Sequence, residues 1–170
     1  YHKYVAKELM SYFEGDGAIC DIGCGTGLVG QELLKINSNL IIDGIDISPD
    51  MLKVSQSKEI YRNLYLFDLT KTIKDIPNDY KAIITSGTFT HGHLGVNALI
   101  NILSIGSKRA IFTIGINKLH YLEKGFKKII EELQSKKLIK VLNLVEHDIY
   151  AKKIDFDNHE NSKALVYTFQ

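Results

Sequence analysis

Residues 20–30 read Cys20-Asp21-Ile22-Gly23-Cys24-Gly25-Thr26-Gly27-Leu28-Val29-Gly30. Glycine has no Cβ, so a glycine-rich loop can turn sharply and bring its backbone close to a ligand. A helix that starts directly after such a loop aims its unpaired N–H groups at the same place. In an open α/β sheet that place is the carboxyl end of the strands, at the point where strand order reverses. The segment therefore marks a small-molecule binding loop between a first strand and a first helix.

The glycines can be taken in two registers. Gly25-Thr26-Gly27-Leu28-Val29-Gly30 fits the dinucleotide pattern G-x-G-x-x-G, with Asp46 about twenty residues on, as that pattern asks of its ribose-binding carboxylate. The other register starts earlier, as Asp21-x-Gly23-x-Gly25-x-Gly27. The apolar run Ala18 to Ile22 stops at Gly23, so Gly23 is the first turn glycine. Asp21 also puts a carboxylate at the strand tip. A pyrophosphate there would be repelled, whereas a cationic amino-acid moiety, such as the ammonium and sulfonium of S-adenosylmethionine, would be held. The earlier register is the better one.

Other side chains could act beside this loop. His91 and His93 follow a fourth strand at the mouth of the expected site, and an unperturbed imidazole suits a base at neutral pH. They are the candidate catalytic pair, and the alternative is a loop-shaping pair bonded to backbone. With no carboxylate nearby, they make a poor metal site, and no metal is expected. His147 and Asp148, with Tyr150 beyond, fall near the end of a sixth strand and could face a substrate. Cys24 sits at a helix N-terminus, where a thiol can be activated, or is a small filler of the loop.

The elements that position these residues alternate along the chain. Val5, Leu9, Tyr12 and Phe13 fall on one helical face. Ala18 to Ile22 is a strand, Leu28 to Ile36 a helix, and Leu40 to Ile47 a strand. Ser48-Pro49 then caps a helix over Met51 to Ser57. Strands follow at Asn63 to Phe67, Tyr80 to Thr85 and Arg109 to Ile114, with Val96 to Leu103 helical between the last two. Leu122, Phe126, Ile129, Ile130 and Leu133 mark one longer helix. Leu138 to Tyr150 and Ala164 to Phe169 are late strands joined only by a loop, so they can pair antiparallel. The pattern predicts an α/β, Rossmann-like three-layer sandwich over 1–170, with a seven-stranded, mostly parallel sheet and an antiparallel C-terminal strand.

Composition narrows the partners. The formal net charge is +1, which gives no long-range field for nucleic acid or an anionic membrane. The lysines from Lys124 to Lys140 are interleaved with Glu123, Glu131 and Glu132, as on a solvated helix face. The expectation is a small-molecule substrate, with no nucleic acid or membrane partner. Two free cysteines and no signal peptide point to the cytoplasm. The chain starts at Tyr1 inside what reads as a helix, so residues upstream of it are expected.

The motif Asp21-Ile22-Gly23-Cys24-Gly25-Thr26-Gly27 resembles the first motif of the class I S-adenosylmethionine-dependent methyltransferases. Gly44 to Leu52 and Asp68-Leu69 are similar to the same family at the ends of its second and third strands. Gly27 to Gly30, Tyr61 to Tyr65, Gly87 to His93, the Tyr121 to Glu132 helix and Val145 to Asp148 resemble its Williams–Beuren-region methyltransferase-like group. The resemblance implies S-adenosylmethionine as cofactor and S-adenosylhomocysteine as product. It implies that Asp21, Gly23, Cys24, Gly25, Thr26 and Gly27 cradle the methionine end and that Asp46 accepts both ribose hydroxyls. Ile47 and Leu69 would sandwich the adenine, Asp68 would face its amine, and Ser86 and Gly87 would close the site beneath the sulfonium. The acceptor is not implied. An NAD-dependent oxidoreductase, on Gly25 to Gly30, and a non-catalytic S-adenosylmethionine-binding domain are the alternatives.

Overall fold

The computed structural model describes residues 1–90, 94–150 and 162–170. Its first element, α1 (His2–Met10), buries Val5, Ala6 and Leu9 along one stripe. Then come β1 (Ala18–Ile22), α2 (Leu28–Ile36), β2 (Ile41–Asp46), α3 (Pro49–Gln56) and β3 (Asn63–Leu66). Ser48 caps α3 as its sequence demands: its hydroxyl accepts from Met51 N, and Pro49 takes the first turn. The second half runs β4 (Tyr80–Phe89), α4 (Val96–Leu103), β5 (Gly106–Asn117), α5 (Lys118–Glu123), α6 (Phe126–Ser135), β6 (Val141–Asp148) and β7 (Lys163–Phe169).

The strands form one seven-stranded sheet in the order β3-β2-β1-β4-β5-β7-β6. The first five run parallel, and β7 pairs antiparallel with both β5 and β6. Strand order reverses between β1 and β4, which places the binding crevice above those two strands. One core layer packs α1 and α2 on the sheet through Val5, Leu9, Leu33, Ile42 and Ile84. The other face carries Leu99, Ile102, Phe126 and Ile130 of α4 and α6. The three-layer α/β sandwich follows from the alternation of elements. No described helix is long and apolar enough to cross a membrane.

Two elements depart most from the sequence expectation. β4 does not stop at Thr85 but runs on to Phe89 through the polar stretch Ser86-Gly87-Thr88, with a register shift against β5 after Thr85. The single helix expected from Leu122 to Leu133 is two helices, broken at Gly125 with φ +77°. Leu122 is consequently solvent-exposed rather than part of the buried stripe. The late hairpin forms, yet the later strand β7 is the one that enters the sheet beside β5 and leaves β6 at the edge.

Candidate active site

The loop from Gly23 to Gly27 joins β1 to α2 at the switch point. Gly23, Gly25 and Gly27 all have positive φ, at 66°, 53° and 86°, where a side chain would be strained. Gly23 N and Cys24 N both donate to Ile45 O, at 2.8 and 3.0 Å, and tie the loop to β2. From the other side Thr88 Oγ1 donates to Ile22 O at 2.8 Å. A Cβ on Gly23 would collide with the Thr88 hydroxyl, so that glycine serves packing. Gly25 and Gly87 differ: a Cβ on either would meet nothing within 4 Å. Both turn bare backbone toward open space above the strand ends, and a ligand can lie against it.

Two carboxylates flank the loop. Asp46, at the end of β2, accepts from Gly25 N at 2.8 Å through Oδ2 and from Ser48 N at 2.8 Å through Oδ1. Each oxygen keeps a lone pair for a ligand. Asp21 is fully buried rather than open at the strand tip. Its Oδ2 accepts from Tyr61 Oη at 2.7 Å, while Oδ1 has no hydrogen-bond partner among the described residues. Burial pushes its carboxyl up to about 7, against the opposing pull of the Tyr61 hydrogen bond. This carboxylate is incomplete in the folded chain.

The remaining expected residues fall around this centre. Cys24 is buried, its thiol tucked under the loop so that a Cβ on Gly44 would lie 2.9 Å from Sγ. Burial pushes that thiol far up, so it is no nucleophile, and only its backbone can face a ligand. Thr26 is partly buried in the loop. Ile47 is 65% exposed just past β2, and Leu69 is in the core beyond β3. Asp68 lies between them in sequence, with Oδ1 accepting from Thr70 N and Thr70 Oγ1 and with Lys71 3.8 Å away. Ser86 and Gly87 lie within β4, not after it.

His91 and His93 lie outside the described residues. His147 does not turn to the loop: its ring stacks on Tyr4 of α1, with centroids 4.0 Å apart, and Nδ1 bonds to Asp148 O at 2.7 Å. Four site residues escaped the sequence. Tyr61 holds Asp21, Thr88 holds the loop, Ser55 Oγ donates to Gly25 O at 2.6 Å, and His2 Nδ1 lies 2.9 Å from Ser86 Oγ. Each joins segments at least 30 residues apart. Tyr61 and Thr88 carried a signal, through their places in the resemblance.

A surface hollow of about 390 Å³ lies elsewhere, between α1 and α2, lined by Lys3, Lys7, Glu32, Lys35 and Ile36. None of the residues above borders it.

Residues 14–168 match the methyltransferase domain family, described as "Methyltransferase domain". The chain belongs to that family. S-adenosylmethionine is the cofactor that comes with it, and the dinucleotide register of the glycines is set aside. Malonyl-[acyl-carrier protein] O-methyltransferase 1 of Ilyobacter polytropus is 29% identical over 159 residues, covering 85% of this chain and 57% of that protein. An 18S rRNA (guanine(1575)-N(7))-methyltransferase of Saccharomyces cerevisiae is 39% identical over 67 residues, covering 39% of the chain and 24% of that protein. The chain thus spans little more than half of the first relative's length and about a quarter of the second's. Among solved structures, a TehB-like SAM-dependent methyltransferase from Corynebacterium glutamicum superposes with a TM-score of 0.70. It is 19% identical and covers all of this chain and 87% of that one. The domain therefore shares its fold with that structure.

Proposed function

We propose that this domain binds S-adenosylmethionine across Gly23–Gly27, Asp46 and Ser86–Gly87 and directs its methyl group to a small-molecule acceptor. The carrying observation is the open backbone at Gly25, locked in place by its N–H bond to Asp46. Asp46 is held by two backbone donors, so its free lone pairs are aimed and can accept a vicinal diol. On this reading Ile47 and Leu69 would sandwich the adenine, with Asp68 facing its amine. The unpartnered Asp21 Oδ1 suits the positive methionine end, reached directly or through an ordered water. When bound, the cofactor supplies an activated methyl group, and the protein supplies position and a dry site. The near-neutral chain supports a small acceptor recognised locally over a polyanion. His91 and His93 remain candidates to contact that acceptor.

The test is isothermal titration calorimetry with S-adenosylmethionine, S-adenosylhomocysteine and NAD in parallel. Binding of the first two without NAD supports the proposal, and NAD binding alone overturns it. Asp46→Ala should weaken S-adenosylhomocysteine binding by roughly 1.5–3 kcal/mol, the worth of hydrogen bonds to a charged group. Unchanged affinity removes Asp46 from the site. Turnover with a structured RNA and not with small acids, amines, phenols or thiols would overturn the acceptor class.

A further inference from the structure

The first turn of α1 reaches the end of β4, where Ser86 and Gly87 lie. His2 Nδ1 lies 2.9 Å from Ser86 Oγ, across 84 residues of sequence. Its other ring nitrogen has no partner among the described residues. Tyr1, its neighbour, rests against β5, where a Cβ on Gly115 would collide with the phenol oxygen. That hydroxyl is buried and has no partner among the described residues. A buried hydroxyl left unpaired costs about 1–3 kcal/mol, so such a group usually faces a bound water or ligand. Ser86 lies one residue before the open backbone of Gly87, on the strand that borders the crevice.

We propose that the first turn of α1 is the acceptor wall of the site, with His2 as the residue that takes the acceptor's proton and Tyr1 as a hydrogen-bonding partner beside it. This rests on the cofactor reading above. With the Nδ1 hydrogen donated to Ser86 Oγ, Nε2 carries the lone pair. The bond between acceptor atom and hydrogen breaks, the new bond forms between Nε2 and that hydrogen, and the electron pair stays on the acceptor atom. Burial, and then the ammonium of Tyr1 beside it, lower the proton affinity of the ring and favour its neutral form. Glu32 on α2 is the charged side chain that pulls the other way.

The test reads charge rather than turnover, so it needs no acceptor. Imidazole resonances of the whole chain are followed against pH by ¹H–¹⁵N nuclear magnetic resonance, with His2→Gln identifying those of His2. Spectra are compared at saturation with S-adenosylmethionine and with S-adenosylhomocysteine, which differ by the sulfonium charge. A positive charge within about 8 Å should lower the His2 midpoint by about half a unit or more in the first complex relative to the second. Equal His2 midpoints in two saturated complexes would overturn the proposal. Failure of either ligand to bind by calorimetry would instead overturn the cofactor reading itself, so the two failures are distinct.

Discussion

Adjacent strands β1 and β2 each bury an aspartate, and the two are treated in opposite ways. Asp43 on β2 accepts from Arg62 Nε and Nη2 at 3.0 and 2.6 Å, from Asn63 N and Nδ2, and from Tyr80 Oη at 2.8 Å. Burial alone would push its carboxyl up, and these donors outweigh it and hold the group below the usual carboxylate range. Asp21 on β1 has Tyr61 as its one side-chain donor, and burial, outweighing Tyr61 and the Gly30 backbone, pushes its carboxyl up to about 7. A completed network ties Arg62 and Asn63, at the start of β3, to β2 and β4. An incomplete one beneath a ligand loop leaves its last bond to be made by something from outside. On the proposed reading, the same residue type serves architecture on one strand and ligand binding on the next.

Breaking the completed network should do the most damage. Asp43→Ala removes the acceptor of five donor contacts, including one charged partner, and should cost roughly 3–5 kcal/mol of stability, read by urea unfolding. Asp21→Asn should do the reverse. Stability should hold or rise, because an awkward buried charge is gone, while S-adenosylmethionine affinity falls about ten- to hundredfold, on the order of 1–3 kcal/mol. If the Asp21 variant unfolds as readily as the Asp43 variant, the contrast between the two networks is wrong. Tyr61→Phe sharpens the point, costing about 1 kcal/mol for one hydrogen bond and moving the Asp21 carboxyl further up.

The pH dependence separates them by sign. The folded chain keeps Asp21 protonated to about pH 7, whereas the unfolded chain releases that proton near the ordinary carboxylate value of about 4. Between these values the folded state binds more protons, so this group makes stability fall as pH rises from about 4 to about 7. Asp43 has the opposite slope: its contribution is full above about pH 4 and is lost as pH falls through its depressed folded value. Asp21→Asn should flatten stability over the first window, in urea midpoints taken across that range. The smallest expected signal is on ligand binding. A cationic methionine end should expel part of the Asp21 proton near pH 6, seen as a binding enthalpy that varies with buffer ionisation heat.

Much of this architecture could be read from local patterns. The apolar run to Ile22, the glycines after it and the Ser48-Pro49 cap each specify their element within a few residues, and the structure has them there. β4 could not be bounded in the same way. Ser86-Gly87-Thr88 is polar and looks like loop, but Thr88 is drawn into the strand because its hydroxyl has a carbonyl to meet beneath Gly23. The break at Gly125 was a legible signal that the apolar stripe outweighed. The site was legible as far as the glycines, Asp21 and Asp46. The bonds from Tyr61, Ser55, Thr88 and His2 were not, since each depends on two distant segments meeting. His91 and His93 sit where the described residues stop.

The wedging of β7 between β5 and β6 has a consequence in time. Chain synthesis delivers β1 through β6 before residues 163–169 exist, so β5 must wait with one side of its backbone unpaired. An exposed strand edge recruits other chains, and pairings across long stretches of sequence form slowly. The nascent polypeptide therefore passes through a stage at which nearly all of its core is present and its sheet is still split. The open edge of β5 is the part of that intermediate most exposed to pairing with other chains.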